Sequence, residues 1–318
     1  GGTPSLLEEI EFRKIFDLVG KAFEIDPEAE ITCELNPEDA QPAKLELLKA
    51  LGVNRVSVGI QSLSDRLLQE MGRAHNAFKA REAIALLYKI GFRNVSTDLI
   101  LRLPGQSVED VASSLGELIG LGVSQVVLYD LDVHERTVYG LRQREGRLSL
   151  PPEEIHRQMA EEAEKLLERA GYLSYEVSSF AKPGFESRHN LIYWRNREYL
   201  GLGPGAFSYM DGTRYQLARD VPRYLEKCGA GSWEPDEAEV ISPENREIET
   251  LLTGLRLREG VGLGTLILLR LRLEEILPAW IEPGWIERMG NHIRLTRRGR
   301  FVAERVIGDL VTACLALV

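Results

Sequence analysis

Cysteine is scarce. The 318 residues hold three, Cys33, Cys228 and Cys314, far apart in the chain. That spacing makes neither a disulfide framework nor a paired-cysteine metal knuckle. It suits a reducing compartment in which thiols stay free, so the expected location is the cytoplasm. Positive charge is also short: 39 Lys and Arg face 49 Asp and Glu, a formal net charge of −10. A protein whose main partner is nucleic acid needs a basic face, so that role is disfavoured. No apolar run approaches the ~20 residues that cross a bilayer. The most apolar stretch near the end, residues 306–318, is too short and carries Asp309. Three common catalytic signatures are missing: the G-x-x-x-x-G-K-S/T phosphate loop, the H-E-x-x-H zinc helix and the G-x-S-x-G nucleophile elbow. No signal peptide is visible. The first residue is Gly rather than Met, so the chain reads as processed, tagged or truncated.

What is present is an ordinary globular composition, 44% hydrophobic and 28% charged. At roughly 100–200 residues per domain the length predicts two domains, or one large α/β barrel. One pattern recurs. A helix-like segment ends at Gly and a β-branched run follows: Gly52 before Arg55-Val56-Ser57-Val58, Gly91 before Val95-Ser96-Thr97, Gly122 before Val126-Val127-Leu128, and more loosely Gly171 before Tyr175-Glu176-Val177. Gly enters the left-handed conformation that closes a helix without Cβ strain. The intervening segments have helical spacing: Ala83, Ile84, Leu87 and Ile90 share one face, as do Ile155, Met159, Ala163, Leu166 and Leu167. Strands alternating with helices require parallel pairing. The candidate strands are 31–35, 55–60, 95–100, 125–131 and 175–177. A partial parallel barrel is the natural closure and a doubly wound sheet the alternative. After about residue 180 the rhythm breaks into Gly, Pro and aromatic residues. The acidic stretch 234–239 reads as a linker. From 242 the chain reads as helices, a hairpin turning at Gly290-Asn291, and a last helix over 296–315, a winged-helix-like arrangement.

In parallel α/β folds ligands bind where strands end. Glu34, Gln61 and Asp98 lie on or at the exits of three candidate strands. Acidic groups in apolar strands are costly without a partner, so the three are read together as a site for a ligand rich in hydroxyls or positive charge. For any one of them, a capping role for the next helix is the alternative. Gly1-Gly2-Thr3-Pro4-Ser5 opens the chain before a helix, where glycines let a ligand approach the backbone. His189-Asn190-Leu191-Ile192-Tyr193-Trp194 sets a His, an amide and two large aromatics in six residues. Such a group suits a flat aromatic ligand, with His189 as candidate iron ligand. The alternative is a surface loop packed by its own aromatics.

These residues together resemble the radical S-adenosylmethionine (SAM) family that contains oxygen-independent coproporphyrinogen III oxidase. The resemblance rests on Gly1-Gly2-Thr3-Pro4-Ser5, Glu34-Leu35-Asn36-Pro37, Ser57-Val58-Gly59-Ile60-Gln61-Ser62, Met71-Gly72-Arg73-Ala74-His75, Asp98-Leu99-Ile100 and Leu103-Pro104-Gly105-Gln106. It covers nearly the whole chain. Tyr175-Glu176, Ala181-Lys182-Pro183-Gly184 and the H-N-x-x-Y-W segment are similar to the signature of its heme-chaperone subfamily, in which that segment is associated with heme.

The resemblance implies an α/β fold, a partial (β/α) barrel over 1–180 that lacks its first strand and cluster loop. An aromatic and Gly-rich extension over 181–240 and a winged-helix-like carboxyl-terminal domain over 241–318 complete the expected domains. It also implies a SAM pocket. Gly1, Gly2 and Thr3 would face the methionine amino end, Glu34 would accept from the ribose hydroxyls, Arg73 would hold the methionine carboxylate, and Gln61 and Asp98 would complete it. Heme would meet His189, Asn190, Tyr193 and Trp194, with Asn190 orienting the imidazole or meeting a propionate and Arg188 or Arg195 pairing with propionate charge. The family's C-x-x-x-C-x-x-C motif does not occur in this sequence, and the three cysteines cannot replace it. The chain alone is therefore expected to hold no 4Fe–4S iron–sulfur cluster, which belongs to the intact protein, and to bind SAM weakly or not at all. Two further departures are Leu101-Arg102, where relatives commonly carry an aromatic and a Gly, and Phe207, where they usually carry His. The implied function is a heme chaperone that passes heme to an acceptor protein, with the porphyrin-decarboxylating oxidase as the rival. A third role, nucleic-acid binding through Arg294, Arg297, Arg298 and Arg300, is set against a solvated face on a structural domain.

Overall fold

The structure, a computed structural model, describes residues 4–316. Gly1, Gly2 and Thr3 lie outside the described residues. The chain divides into two compact units. The first comprises residues up to 174 together with 178–186, the second 175–177 together with residues from 187 onward. The second unit groups residues that the sequence reading divides at 240.

The first unit is built on strands β1 (Thr32–Leu35), β2 (Arg55–Gln61), β3 (Asn94–Leu101), β4 (Gln125–Asp130), β5 (Leu173–Ser174) and β6 (Ser179–Ala181). They form one sheet in the order β1-β2-β3-β4-β6-β5. The first four are parallel, while β6 runs antiparallel to both β4 and β5. The sheet does not close on itself, as a partial barrel requires. Gly52, Gly91, Gly122 and Gly171 all have φ between 79° and 101°, the left-handed turn that the recurring pattern predicts. Val56, Val58 and Ile60 of β2 are wholly buried in one core with Leu45, Leu48, Ile84 and Leu87. Each such side chain stabilises the fold by about 1.5–3 kcal/mol relative to exposure. The alternate residues Arg55, Ser57 and Gly59 therefore face the other way.

The expected fifth strand is a correction. After Gly171 the strand is the two-residue β5, and residues 175–177 instead belong to the second unit. There Glu176 bridges to Leu257 and Val177 packs on a separate core.

The second unit begins with a helix, Arg188–Trp194, capped by the Ser187 hydroxyl accepting from the Asn190 N–H. An antiparallel sheet of β7 (Phe207–Met210), β8 (Thr213–Gln216) and β9 (Glu237–Val240) follows. The acidic stretch read as a linker is thus the edge strand β9, with Glu239 opposite Arg214. A second antiparallel sheet, β10 (Val261–Gly262), β11 (Ile286–Met289) and β12 (His292–Leu295), has the expected hairpin turn, where Gly290 takes φ 60°. Helices Pro243–Gly254, Arg270–Ile276 and Ala303–Leu315 enclose a core of Leu251, Leu273, Ile293 and Leu310. The expected last helix is broken, running as Arg297–Arg300 and then Ala303–Leu315. Of the arginines clustered there, Arg294 pairs with Glu287 at 2.8 Å and Arg298 stacks over Trp285 at 4.1 Å.

Candidate functional site

The inner face of the first unit's sheet gathers the predicted SAM residues other than the three at the amino end. Alternation along each strand places Glu34 on β1, Ser57, Gly59 and Gln61 on β2, and Asp98 on β3. The register brings Glu34 opposite Ser57, and Ser57 opposite Ser96. The β2–β3 register slips between Val58 and Gln61, and Gln61 itself takes φ 67°. A non-glycine residue in the left-handed region stores strain of order 1–3 kcal/mol, which folds retain mainly at functional sites. Here the bulge re-aims Gln61, whose Oε1 accepts a 2.5 Å hydrogen bond from the Tyr129 hydroxyl on β4.

Gly59 is where the site closes up. A Cβ there would stand 3.1 Å from Gln61 Nε2, 3.4 Å from Asn36 Oδ1 and 3.5 Å from an Arg73 terminal nitrogen. Arg73 donates to Asn36 Oδ1 at 3.0 Å and to the Gly59 carbonyl at 3.2 Å. Its Nε is buried and has no partner among the described residues. A guanidinium held from one side with a spare donor suits a carboxylate.

Burial pushes the Asp98 carboxyl up to about 6. Glu34 raises it further, while Arg55 and a hydrogen bond from Ser57 pull the other way. The Tyr129 phenol is pushed up to about 12, by burial first and then by Asp98. This face of the sheet therefore presents carboxylate and amide acceptors near an arginine. That donor and acceptor set fits the hydroxyls and amino acid end of SAM. Next to it, Ser5 is wholly buried and its hydroxyl donates to Asp39 Oδ2 at 2.7 Å, which anchors the start of the described chain beside β1.

Sequence reasoning missed Asn36, Ser57 and Tyr129 as site residues. Asn36 and Ser57 lie an even number of positions from Glu34 and Gln61, and that parity was the available signal; Tyr129 lies opposite Ile100 and carried none. Arg102 carries φ 65°, the left-handed region that favours glycine.

The cysteines do not fit a cluster. Cys33 is buried with its thiol pushed up to about 11 by burial, and Cys314 is buried in the other unit. Among the described residues no group of three His, Cys, Asp or Glu side chains is placed to hold a metal.

The H-N-x-x-Y-W segment is a helix, not a loop. His189 and Tyr193, four apart, share its exposed face. The Tyr193 hydroxyl and His189 Nε2 lie 3.1 Å apart, with the rings edge to face at 4.9 Å. Tyr193 meets Tyr199 edge to face at 4.6 Å. Asn190 and Trp194 fall on the neighbouring, half-buried face, where the Arg256 guanidinium covers the Trp194 ring at 5.4 Å. The Tyr193 hydroxyl thus meets the imidazole, and Arg195 is engaged by Glu259 at 3.0 Å. Of the competing histidines, His75 is buried with Nδ1 on Glu38 at 3.0 Å and Nε2 on the Ile60 carbonyl at 3.2 Å, and His156 meets Asp130 at 2.6 Å.

The open, mostly parallel sheet carries polar groups at one rim, and the profile of the radical SAM superfamily matches residues 1–118. The superfamily implies SAM and a 4Fe–4S cluster. The heme chaperone HemW of Bacillus subtilis is 33% identical over 314 residues, covering 97% of this chain and 83% of that protein. HemW of Lactococcus lactis is 37% identical over 261 residues, 82% of this chain and 68% of that protein. The chain belongs to the HemW family. Coproporphyrinogen III oxidase (HemN) from Escherichia coli, described as a radical SAM enzyme, superposes with a TM-score of 0.81 over 99% of this chain and 76% of that one, at 18% identity. That likeness is one of fold. Among the described residues no helix is long and apolar enough to cross a membrane.

Proposed function

We propose that this chain binds heme on the helix Arg188–Trp194 and passes it to an acceptor protein, as a heme chaperone working in the cytoplasm, with a SAM pocket on the inner face of its sheet. The observation that carries the heme reading is the exposed His189–Tyr193 pair. A neutral imidazole offers a lone pair to heme iron, and here it is held in one orientation by a tyrosine hydroxyl that iron would displace. The exposed edge of Tyr193 gains from covering an apolar porphyrin face at roughly 25 cal/mol per Å² removed from water. In the SAM pocket, Glu34 accepts from ribose hydroxyls, Arg73 holds the methionine carboxylate through its spare Nε donor, and Gln61 and Asp98 close the sides. SAM would supply the superfamily's radical chemistry when it is bound with a cluster. The residues of this chain position the cofactor and exclude water from it.

Titrating hemin into the protein and following the Soret band tests the heme reading. His189→Ala is expected to weaken binding at least tenfold and to shift the band, with the far-UV spectrum unchanged. Unchanged hemin spectra in His189→Ala, with a loss in His134→Ala, His156→Ala or His292→Ala, would move the site elsewhere. Incubation of the intact, cluster-loaded protein with SAM and coproporphyrinogen III under anaerobic, reducing conditions separates the oxidase: decarboxylated product would replace the chaperone reading.

A further inference from the structure

Beside the helix Arg188–Trp194 the second unit forms a half-open cavity of about 260 Å³. Its lining includes Tyr193, Arg197, Tyr199, Tyr209, Arg214 and Glu249. Two of these groups are unaccounted for. Tyr209 is 1% exposed, and its hydroxyl is buried without a hydrogen-bond partner among the described residues. A phenol can donate and accept, and buried polar groups are as a rule satisfied. The Arg197 guanidinium makes no hydrogen bond or ion pair among the described residues.

The charges around this cavity do not balance. Glu249 is fully used by Arg214, which grips it with two hydrogen bonds of 2.7 and 2.9 Å. The Arg246 guanidinium lies over the Tyr209 ring at 5.7 Å and has no carboxylate partner among the described residues. An unpaired cation and an unsatisfied phenol in the lining, with a second cation on the Tyr209 ring, therefore leave a space with no anion assigned to it. That combination selects a carboxylate, which can take a guanidinium N–H and a phenol O–H together. The volume falls below the 300–1,000 Å³ typical of pockets for whole drug-sized ligands, so the cavity suits an arm of a ligand rather than a ring system.

We propose that this cavity is a propionate subsite: it takes one carboxylate arm of the heme whose flat face lies against His189 and Tyr193. The inference rests on the heme reading above. Tyr193 joins the two parts, since it both holds the His189 imidazole and lines the cavity. Arg197 supplies the ionic contact and Tyr209 the buried donor. The subsite fixes the rotation of the ring about the iron–histidine bond, which neither His189 nor stacking can do alone.

The test compares hemin with hemin dimethyl ester, in which both propionates are capped, against wild type, Arg197→Gln, Tyr209→Phe and His189→Ala. Arg197→Gln is expected to weaken hemin binding about tenfold, and Tyr209→Phe a few-fold. Both are expected to bind the ester within twofold of wild type. The ester arm reports whether a variant has simply lost its fold. Hemin affinity unchanged in Arg197→Gln while His189→Ala loses it would overturn the subsite and leave the heme site standing. Equal losses for hemin and ester would also overturn it, because the charge would then be irrelevant. A wild-type protein that takes up no hemin would remove the heme reading and this one with it.

Discussion

The two units build their sites in opposite ways. On the sheet of the first unit the polar groups have already found one another: Gln61 with Tyr129, Arg73 with Asn36, and Asp98 with Ser57. Such preorganisation suits a small polar cofactor, because little freedom is lost when it binds. On the second unit the groups are exposed or unmatched. Tyr193 is 36% exposed, and Arg197 and the Tyr209 hydroxyl lack partners among the described residues. A large apolar ligand with charged arms gains most from such a surface, and an acceptor can take it back. On the proposed reading, one site holds its ligand and the other hands it over.

Glycine substitutions sharpen that contrast most strongly. Gly260, in the second unit, takes φ 71°, and a Cβ there would collide with the Ile293 carbonyl and Arg294 Cβ. Backbone cannot yield, so Gly260→Ala is expected to cost that unit about 3 kcal/mol or more. The Cβ of Gly59→Ala meets only the ends of Gln61, Asn36 and Arg73 side chains. These swing aside, so its stability should stay within about 1 kcal/mol of wild type. Urea unfolding of both variants decides. Equal losses would mean that the first unit's site is also part of its structural frame.

The Asp98 carboxyl gives a smaller, pH-dependent effect. Its pKa is raised to about 6 in the folded chain, against about 3.9 in an unfolded one. The folded state therefore holds the proton longer, and stability falls as pH rises between roughly 4 and 6. Below that window the penalty is absent, and above it the penalty is full. Asp98→Asn is expected to stabilise the protein at pH 7.5 by on the order of 1–2 kcal/mol, with the gain fading toward pH 4. Denaturation midpoints at the two pH values measure it. A gain independent of pH, or a loss at pH 7.5, would show that Asp98 is held by its partners rather than strained by burial.

The parallel strands were legible because local rules and tertiary structure agree there. A Gly closes each helix, and a β-branched run enters the sheet. Two elements were misread where the deciding contact is remote. Residues 175–177 have strand propensity, but their pairing is with Leu257 and their packing with the second core. Strand β9 is exposed at every position, so it shows no apolar pattern. Its place is set by the backbone ladder to β8, which puts Glu239 opposite Arg214. Glu34, Gln61 and Asp98 could be chosen because acids and amides at strand exits stand out. The bulge that turns Gln61 toward Tyr129, and the Gly59 gap that admits Arg73, are properties of packing between strands. The cavity behind Tyr193 was likewise invisible, since Arg197, Tyr209 and Arg214 come together only through the helix and the β7–β8 pair.

The smallest effect probes the second site from the stability side. An unsatisfied buried hydroxyl destabilises the fold that contains it, by roughly 1–3 kcal/mol relative to a paired one. If the Tyr209 hydroxyl is kept for a ligand, removing it should help the empty protein. Tyr209→Phe keeps the ring, and with it the Arg214 and Arg246 guanidinium groups at 5.6 and 5.7 Å. It is therefore expected to raise stability without heme by about 1 kcal/mol, moving the thermal midpoint up by a few degrees. With hemin present that advantage should shrink toward zero, because wild type gains more from binding than the variant does. Thermal scans with and without hemin measure both. A variant less stable than wild type in the empty protein would show that the hydroxyl already has a partner such as bound water, and the contrast between a satisfied site and an unsatisfied one would then be lost at this residue.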